Sequence, residues 1–244
     1  MRTLVIGDIH GGYKALVQVL ERAAVTSKDN LIFLGDYVDG WSGSAQTIDK
    51  LIELSKSTNC IFIRGNHDLW CGLWLEKGAT NPVWLAHGGK ETMQSYIQSG
   101  FLKNDAHREF FKKLQDYYID QENRLFVHAG FTSMHGVGKE EYDSNYYWDR
   151  TLWEAALLAE KAGTENLKNA IDEPKRFQHY KEIYIGHTPT IFYGQNTPMK
   201  AYTLWNLDTG AGFKGKLTIM DIDTKQFWQS DPLPELYPNE KGRN

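Results

Sequence analysis

The 244-residue chain can bury a substantial core, and its 41% hydrophobic and 24% charged residues exclude an extended disordered protein. A net charge of -4 argues against binding of a nucleic-acid polymer, because phosphate backbones are bound mainly by clustered Lys and Arg. The first acid, Asp8, comes too early for a signal peptide, and no apolar run approaches membrane-spanning length. We therefore expect a cytoplasmic protein that does not bind a membrane.

The first third of the chain alternates predicted strands and helices. Short apolar runs predict strands at 3–6, 31–34 and 60–63, and helical spacing of apolar residues predicts helices at 13–24 and 44–55. This βαβαβ order predicts neighbouring parallel strands that are joined by right-handed crossovers. In open α/β sheets, sites form beyond the carboxyl ends of such strands.

The middle of the chain is predicted to be mainly helical at about 69–118, with breaks near Pro82, Gly88 and Gly100. An irregular charged stretch is expected up to about residue 180, and a proline-rich tail from about 230 is expected to be ordered at first and then to fray. We expect a single domain over 1–244, because the motifs described below span most of the chain. The remaining predictions are a helix at 151–162 and strands at 124–127, 182–185, 201–207, 216–222 and 226–229.

Five short signatures place His, Asp or Asn beside a glycine, mostly directly after a predicted strand. Glycine permits the tight turn that lets a neighbouring group approach an ion closely. Taken alone, each signature is more typical of a helix cap, a turn or a hydrogen-bonded core histidine. Their occurrence together, at strand ends, favours a metal site. They are Gly-Asp-Ile-His-Gly at 7–11, Gly-Asp-Tyr-Val-Asp at 35–39, Gly-Asn-His-Asp at 65–68, His-Ala-Gly at 128–130 and Gly-His-Thr at 186–188.

The stretch 31–41 has the clearest pattern, because a short apolar run leads through a glycine to two carboxylates three residues apart. Asp36 and Asp39 therefore lie at the carboxyl end of a predicted strand, and Asp36 is the candidate bridge between two metal ions. Imidazole and oxygen ligands without a thiolate suit Mn, Fe, Co or Zn better than a structural zinc site. Two cysteines cannot form a disulfide framework, and Cys60 lies in an apolar run. Cys60 and Cys71 are both expected to be structural.

The five signatures resemble those of calcineurin-like metallophosphoesterases, specifically the phosphoprotein phosphatase (Ser/Thr protein phosphatase) branch in its compact bacterial form, close to dinucleoside tetraphosphatases. The resemblance covers residues 7–188. It implies a mixed α/β fold, a sandwich of two mixed β-sheets flanked by helices, with two divalent metal ions at its edge. The implied ligands are Asp8 and His10 for the first metal, Asp36 as the bridge, and Asn66, His128 and His187 for the second.

The chemistry that this resemblance implies is dimetal-dependent hydrolysis of phosphomonoesters. Two cations roughly 3.5 to 4 Å apart would share a bridging hydroxide and direct it in line at phosphorus. His67, beside the implied ligand Asn66, is placed to give a proton to the departing alkoxide, and Asp39 would orient that imidazole. Asp39 could alternatively cap the helix that follows, but its spacing from Asp36 favours the catalytic role.

Arginine is expected to bind the remaining phosphate oxygens, because its planar donor fork matches their geometry. The phosphatase branch commonly has Asp-Arg-Gly where this chain has Asp39-Gly40-Trp41, so one expected arginine is absent. Arg150 resembles the second phosphate-binding arginine of the branch. Arg64 is a candidate substitute, and a structural ion pair behind the site is an equally good interpretation of it.

Two further features lie near the signatures. The His-Gly-Gly segment at 87–89 resembles an Asn-Gly-Gly segment of compact bacterial members, and His87 is expected to be a loop residue near the mouth of the site and not a ligand. Packing is the expected role of most of the nearby tryptophans, with stacking on an aromatic substrate as the alternative. These tryptophans are Trp41, Trp70, Trp74, Trp84, Trp148 and Trp153.

The leading functional hypothesis is a Ser/Thr-type protein phosphatase that acts on a phosphorylated protein, a peptide or a small phosphorylated substrate. The alternative is symmetrical hydrolysis of a dinucleoside tetraphosphate, with exposed tryptophans stacked on a base. A non-catalytic metal-binding scaffold is a third hypothesis, but retention of all six candidate ligands with His67 and Asp39 argues against it. Manganese is the expected metal, with iron, zinc or cobalt as alternatives.

Overall fold

Ten short strands form two five-stranded sheets in the computed structural model, which describes residues 1–163 and 175–243. Short apolar runs form most of these strands, as the sequence predicted. In chain order the strands are β1 (Thr3–Ile6), β2 (Asn30–Phe33), β3 (Asn59–Phe62), β4 (Tyr117–Ile119), β5 (Arg124–Val127), β6 (Glu182–Ile185), β7 (Met199–Ala201), β8 (Leu204–Asn206), β9 (Thr218–Asp221) and β10 (Phe227–Gln229).

Both sheets are mixed, with parallel strands at their centres. The first sheet has the order β10-β9-β1-β2-β3, in which β1, β2 and β3 pair in parallel and β9 pairs with both β1 and β10 in antiparallel orientation. The second sheet has the order β4-β5-β6-β8-β7, in which β5, β6 and β8 pair in parallel and the two edge strands are antiparallel. The predicted sandwich of two mixed sheets is confirmed.

Alternating side chains of the strands build separate layers of the core, because successive residues of a strand point to opposite faces. In β1, Val5 contributes to a buried cluster between the sheets with Phe126 and Tyr184 of the second sheet. Its neighbours Leu4 and Ile6 belong instead to the cluster that packs against the helices on the outer face. A third cluster lies on the outer face of the second sheet, against the helix that carries Trp153.

Helices cover the outer faces of the sheets. The predicted helices at 13–24, 44–55 and 151–162 are found within two residues of those bounds. The α-helices of the described residues are α1 (Tyr13–Arg22), α2 (Ser44–Leu54), α3 (Asn66–Lys77), α4 (Pro82–Trp84), α5 (Lys90–Ser99), α6 (Asp105–Lys112), α7 (Asn145–Trp148), α8 (Thr151–Ala162), α9 (Lys175–Gln178) and α10 (Leu233–Leu236), with a π-helical turn at Leu85–Gly89 and 3-10 turns at Phe101–Lys103, Val137–Lys139 and Thr190–Tyr193.

Three sequence expectations need correction. The helical segment predicted at 69–118 ends at Lys112, because Tyr117–Ile119 instead pairs with β5. The single strand predicted at 201–207 is divided between β7 and β8, which pair in antiparallel orientation. The tail after residue 230 does not fray within the described residues: Tyr237 stacks on Trp41, and Arg243 N donates to Gly212 O over 2.7 Å.

Three further expectations concern the cysteines, membrane-spanning helices and the irregular stretch before residue 180. Cys60 and Cys71 are both free, and Cys71 is fully buried in the core, which agrees with a structural role. Over 1–163 and 175–243, no helix combines the length and the apolar character that a membrane span requires. Most of the irregular stretch predicted before residue 180 lies outside the described residues.

Candidate metal centre

Parallel strands from both sheets deliver polar side chains to one edge of the sandwich. Asp8 and Asp36 follow β1 and β2 by two and three residues, and His128 and His187 follow β5 and β6 by one and two. Contacts between the sheets join these segments, because His187 N donates to Asp8 Oδ2 over 3.0 Å and His128 Nδ1 lies 2.8 Å from Leu34 O. The centre therefore lies where the two sheets meet.

Asp36 lies at the middle of the cluster. Its Oδ2 atom is 3.6 Å from His10 Nε2 on one side and 3.4 Å from His128 Nε2 on the other. Two groups of possible ligands, each within 4.8 Å, share this carboxylate: one contains His10 and His67, and the other contains His128 and His187. This is the position that a bridging carboxylate needs.

Asn66 completes the group on the His128 side. It is the first residue of α3, and its Oδ1 atom lies 3.3 Å from His128 Nε2 and 3.1 Å from His187 Nδ1. An amide oxygen and two imidazole nitrogens therefore converge beside Asp36. Oxygen and nitrogen donors of this kind suit a borderline divalent ion.

Backbone carbonyls set the orientation of two imidazoles. His10 Nδ1 lies 3.1 Å from Val38 O and 3.0 Å from Asp39 O, so this nitrogen carries the proton and Nε2 keeps its lone pair. His128 is held in the same way by Leu34 O. His10 Nε2 is 4.0 Å from Asp8 Oδ2, which brings Asp8, His10 and Asp36 together on the other side of the cluster.

Two buried polar atoms of the cluster have no hydrogen-bond partner among residues 1–163 and 175–243: Asp8 Oδ1 and His187 Nε2. Such atoms are costly unless something else binds them. All six predicted ligands are buried, and together they supply carboxylate, amide and imidazole donors, so the residues fit two divalent cations. The structure thus brings together all six ligands that the resemblance implied, and their roles as ligands stay a prediction.

The charges of the cluster shift its pKa values in opposite directions. Burial raises the pKa of Asp36, but the charges of His128, His67 and His10 outweigh it and lower that pKa well below its ordinary value. Burial lowers the pKa of His128, whereas the charge and hydrogen bond of Asp36 raise it to about 10. Each residue therefore favours the charged form of the other, and metal binding to both would release a proton.

His67 and Asp39 form a second buried unit next to the cluster. His67 Nδ1 lies 2.6 Å from Asp39 Oδ2, so Nε2 of the imidazole is the atom left to act on a substrate. Two side chains fix the carboxylate: Trp84 Nε1 donates to Oδ2 over 2.7 Å, and Thr92 Oγ1 donates to Oδ1 over 2.7 Å. The predicted orienting contact of Asp39 is present, and the sequence interpretation of Trp84 as a packing residue missed its hydrogen bond.

Two buried carboxylates near the centre have positions that the sequence interpretation did not use. Asp68 accepts hydrogen bonds from the backbone N–H groups of Asp36 (2.7 Å), Tyr37 (2.9 Å) and Gly65 (2.8 Å), so it fixes the turn that carries the candidate bridge. Asp208 follows β8, and burial raises its pKa to about 6. Asp208 lies in the sequence Asn-Leu-Asp-Thr-Gly, which places a polar residue and a glycine after a strand. The same pattern as in the five signatures could therefore have identified Asp208.

The two predicted phosphate-binding arginines lie in different environments. Arg150 precedes α8 and is exposed, and its charge, after burial and the charge of His128, lowers the pKa of His187. The positive charge of Arg150 therefore lies near His187, and its role in phosphate binding stays a prediction. Arg64 donates to Asp116 and, over 2.8 Å, to Leu114 O, which matches the structural ion pair considered from the sequence. No contact of its guanidinium within the described residues supports a role in phosphate binding.

Glycines of the signatures make room for the candidate ligands. A Cβ atom at Gly65 would lie 2.1 Å from Asp36 Oδ1, and a Cβ atom at Gly186 would lie 2.0 Å from Asp8 Oδ1. Real side chains never approach so closely, so any other residue would displace the carboxylate. The proposed reason for these glycines, close approach to a ligand, agrees with the geometry.

Most of the nearby tryptophans are packing residues, as expected. Trp41, Trp84 and Trp153 are fully buried, whereas Trp148 keeps 41% of its surface exposed. Trp70 and Trp148 form an edge-to-face pair with ring centroids 5.2 Å apart. Trp70 contacts His67 at 5.1 Å and Trp148 contacts His187 at 5.9 Å, so this indole pair borders the centre.

His87 belongs to the π-helical turn that packs on the backbone of Asp39 and Gly40 through Gly88. It is partly exposed, and its charge contributes to the lowered pKa of His67, after burial and other charges. This position near the site agrees with the expected loop residue.

Comparison with protein families and curated proteins identifies relatives over nearly the whole chain. The model of the calcineurin-like phosphoesterase family matches residues 1–208. A bis(5'-nucleosyl)-tetraphosphatase PrpE [asymmetrical] of Geobacillus sp. (strain WCH70) is 24% identical, with 97% of this chain and 98% of the relative covered. The protein of the same name from Bacillus anthracis (strain CDC 684) is 29% identical with the same coverage.

Solved structures with the same fold include phosphatases of two kinds. A protein assigned as a diadenosine tetraphosphatase superposes with a TM-score of 0.62 at 15% identity, covering 93% of this chain and 92% of that one. A serine/threonine phosphatase from Saccharomyces cerevisiae, similar to human PP5, gives 0.57 at 14% identity, covering 95% and 80%. At such identities the likeness shows the fold alone.

Proposed function

Because the chain belongs to the calcineurin-like phosphoesterase family, whose members hydrolyse phosphoesters with bound metal ions, we propose that it hydrolyses a dinucleoside tetraphosphate. The observation that carries this proposal is the Trp70–Trp148 pair, which borders the candidate metal centre and leaves Trp148 open to solvent. The names of the curated relatives support the same substrate class over the Ser/Thr protein phosphatase that the sequence first suggested. Both names carry the word asymmetrical, which supports asymmetrical over symmetrical cleavage.

The indole pair suits a nucleobase. Stacking of a base on an aromatic side chain contributes about 1–3 kcal/mol, whatever the base. Trp148 contacts the candidate ligand His187, and Trp70 contacts the candidate acid His67. A base stacked on this pair would therefore leave its phosphate chain within reach of the centre.

The protein's own residues then divide the work. Asp39, held by Trp84 and Thr92, fixes His67 so that Nε2 gives a proton to the leaving oxygen. Arg150 places a positive charge on the His187 side of the centre, where it would neutralise phosphate oxygens. Divalent cations, when bound by the six predicted ligands, would supply activated water and neutralise phosphate charge.

Manganese is the metal to test first. The donor set has oxygen and nitrogen atoms without a thiolate, which also accommodates iron, cobalt or zinc. We propose that the six predicted ligands would hold two ions, because ligand atoms converge on both sides of the Asp36 carboxylate.

A substrate panel tests the proposal. The manganese-loaded protein is incubated with diadenosine tetraphosphate and with a phosphoserine peptide, and nucleotide products are separated by chromatography. We expect hydrolysis of the dinucleotide to ATP and AMP at a much higher kcat/KM than that of the peptide. A faster reaction with the peptide would instead support a protein phosphatase, and bound metal without turnover would support a scaffold.

Substitution of the exposed tryptophan tests the binding mode. We expect Trp148→Ala to raise the KM for diadenosine tetraphosphate roughly tenfold, because it removes a stacking surface. Trp148→Phe should largely restore KM. Phe227→Ala is a matched control, since Phe227 is 40% exposed on the edge strand β10 and is not one of the residues of the candidate centre. An unchanged KM in Trp148→Ala would exclude this indole from base binding.

A further inference from the structure

The segment 230–243 docks beside the candidate metal centre through Gly40-Trp41, the pair that replaces Arg-Gly of the phosphatase branch. The Trp41 ring stacks on Tyr237 with centroids 5.2 Å apart, and its Nε1 atom donates to Ala211 O over 2.7 Å. Glu240 accepts hydrogen bonds from the backbone N–H (2.8 Å) and the hydroxyl (2.6 Å) of Ser42. The segment is therefore fixed over the loop that follows Asp39.

The small size of Gly40 leaves the space that Arg243 occupies. A Cβ atom at Gly40 would lie 3.2 Å from Arg243 Cγ, so a larger residue there would press on the arginine stem. Gly242 has a φ of 68°, and a Cβ atom on it would lie 2.7 Å from Trp41 Cζ2. The backbone of Arg243 is itself held, because its N–H donates to Gly212 O over 2.7 Å.

The guanidinium of Arg243 points into the centre. Its Nη1 atom donates to His10 Nε2 over 3.1 Å, and that nitrogen is the one 3.6 Å from Asp36 Oδ2. The Nε atom of Arg243 is buried and has no hydrogen-bond partner in the described residues. Phe213 supports the guanidinium from one side, with the Arg243 Cζ atom 5.2 Å from its ring centroid.

We propose that Arg243 is a phosphate-binding residue of this site and supplies the guanidinium that Gly40 lacks. The proposal rests on phosphoester hydrolysis at this centre, as put forward above. If His10 Nε2 binds a cation, it can no longer accept the hydrogen bond from Arg243. Nη1 then needs a new acceptor and Nε still has none, and phosphate oxygens are the acceptors to which a planar guanidinium donates best.

A purely structural role is the competing explanation, in which Arg243 only neutralises the buried carboxylates of the centre. The two explanations differ in what Arg243→Gln should change. A phosphate-binding arginine affects anion affinity and leaves the bound metal in place, whereas a neutralising arginine affects metal content or folding. Lys241→Gln is a matched control, because it removes a positive charge from an exposed residue of the same segment.

The test measures binding of inorganic phosphate to the manganese-loaded protein by isothermal titration calorimetry. We expect Arg243→Gln to weaken phosphate binding roughly tenfold to hundredfold, with manganese content unchanged. Arg243→Lys keeps the charge but not the fork and should weaken binding to an intermediate degree. Lys241→Gln should bind within twofold of the unchanged protein. The kcat/KM for the dinucleotide should fall in Arg243→Gln by a factor similar to that for phosphate binding.

Two results would overturn the proposal: phosphate affinity that does not change in Arg243→Gln, or loss of manganese from that variant. If Arg243→Gln does not fold, Arg243→Lys decides, since phosphate binding equal to that of the unchanged protein would contradict a forked contact. Failure of the proposed substrate is distinguishable. In that case the unchanged protein would not cleave diadenosine tetraphosphate, yet phosphate binding would still depend on Arg243.

Discussion

Four polar residues of the candidate centre adopt left-handed backbone conformations, which residues other than glycine rarely adopt. The φ angles are 52° for His10, 51° for Asp36, 71° for Asp39 and 66° for His187. Such conformations cost about 1–3 kcal/mol each and persist only where the surroundings impose them. For Asp36, the hydrogen bonds from the backbone to Asp68 are an evident source of that constraint. The strained backbone at these residues therefore accompanies the placement of their side chains in the candidate centre.

Substitution of His67 tests whether this residue gives a proton to the leaving group. An alkoxide is a strong base that needs a proton as it departs, whereas a departing nucleotide phosphate is a weak base. We expect His67→Asn to lower kcat for a phosphoserine peptide by about 10²–10⁴-fold and to lower kcat for diadenosine tetraphosphate less. Both kcat values are measured with saturating manganese.

Leu73→Ala is the control for His67→Asn, because Leu73 is 38% exposed on the same helix, α3. Equal losses for the two substrates would contradict a role in protonation of the leaving group. Loss of bound manganese would place His67 among the ligands, since one of its ring nitrogens lies within 4.8 Å of the ligand atoms of His10 and Asp36.

At the scale of elements, the segment from α4 to α5 encloses Asp39. Its π-helical turn brings Trp84 to one carboxylate oxygen of Asp39 and Thr92 to the other. Gly88 makes this approach possible, because its φ is 104° and a Cβ atom on it would lie 2.4 Å from Gly40 N. The turn is thus in direct backbone contact with the loop that carries Asp36 and Asp39.

Two glycine substitutions separate backbone strain from steric overlap. Gly100 also has a positive φ, 75°, but nothing lies within 4 Å of a Cβ atom built on it. We expect Gly100→Ala to lower the free energy of unfolding by about 1–2 kcal/mol, from the left-handed conformation alone. Gly88→Ala adds a clash with Gly40 and should cost about 1–3 kcal/mol more. Urea unfolding measures both, and equal losses would show that the turn does not pack tightly on Gly40.

At the scale of the whole molecule, the candidate centre joins the two sheets. Asp8, His10 and Asp36 come from loops of the first sheet, and His128 and His187 follow strands of the second. A cation bound by ligands from both sheets stabilises the folded protein by mass action, because the unfolded chain has no preformed site. Metal binding is therefore expected to stabilise the sandwich as a unit.

Removal of metal tests this coupling. At a manganese concentration 100 times its Kd, the folded state gains about 2.7 kcal/mol, which corresponds to a rise in Tm of roughly 5–10 °C for a chain of this size. EDTA should reverse the rise. Asp36→Asn removes the shared carboxylate and should abolish the dependence on manganese, whereas Asp231→Asn, on the exposed surface, should keep it. A Tm that does not respond to manganese would contradict a centre that joins the sheets.

Much of the fold follows from local patterns. Apolar runs and helical spacing predicted β1, β5, β6, α1, α2 and α8 to within two residues, because these elements bury a regular face. The helical segment predicted at about 69–118 includes Tyr117 and Tyr118, because the strand state of these residues depends on pairing with β5. The order of the tail likewise depends on distant residues and could not be predicted from a local pattern. It is ordered by contacts with Trp41 and Ser42, about 200 residues earlier in the chain.

Local sequence patterns are enough to predict the donor set of the candidate centre, because each signature carries its polar residue and its glycine within five positions at a strand end. Which further groups meet there depends on how distant parts of the chain pack. Asp68 beneath the Asp36 turn, Trp84 on Asp39 and Arg243 on His10 are contacts between residues separated by 32, 45 and 233 positions. No local pattern can specify such contacts, since they exist only after the sheets, the helical segment and the docked tail have packed together.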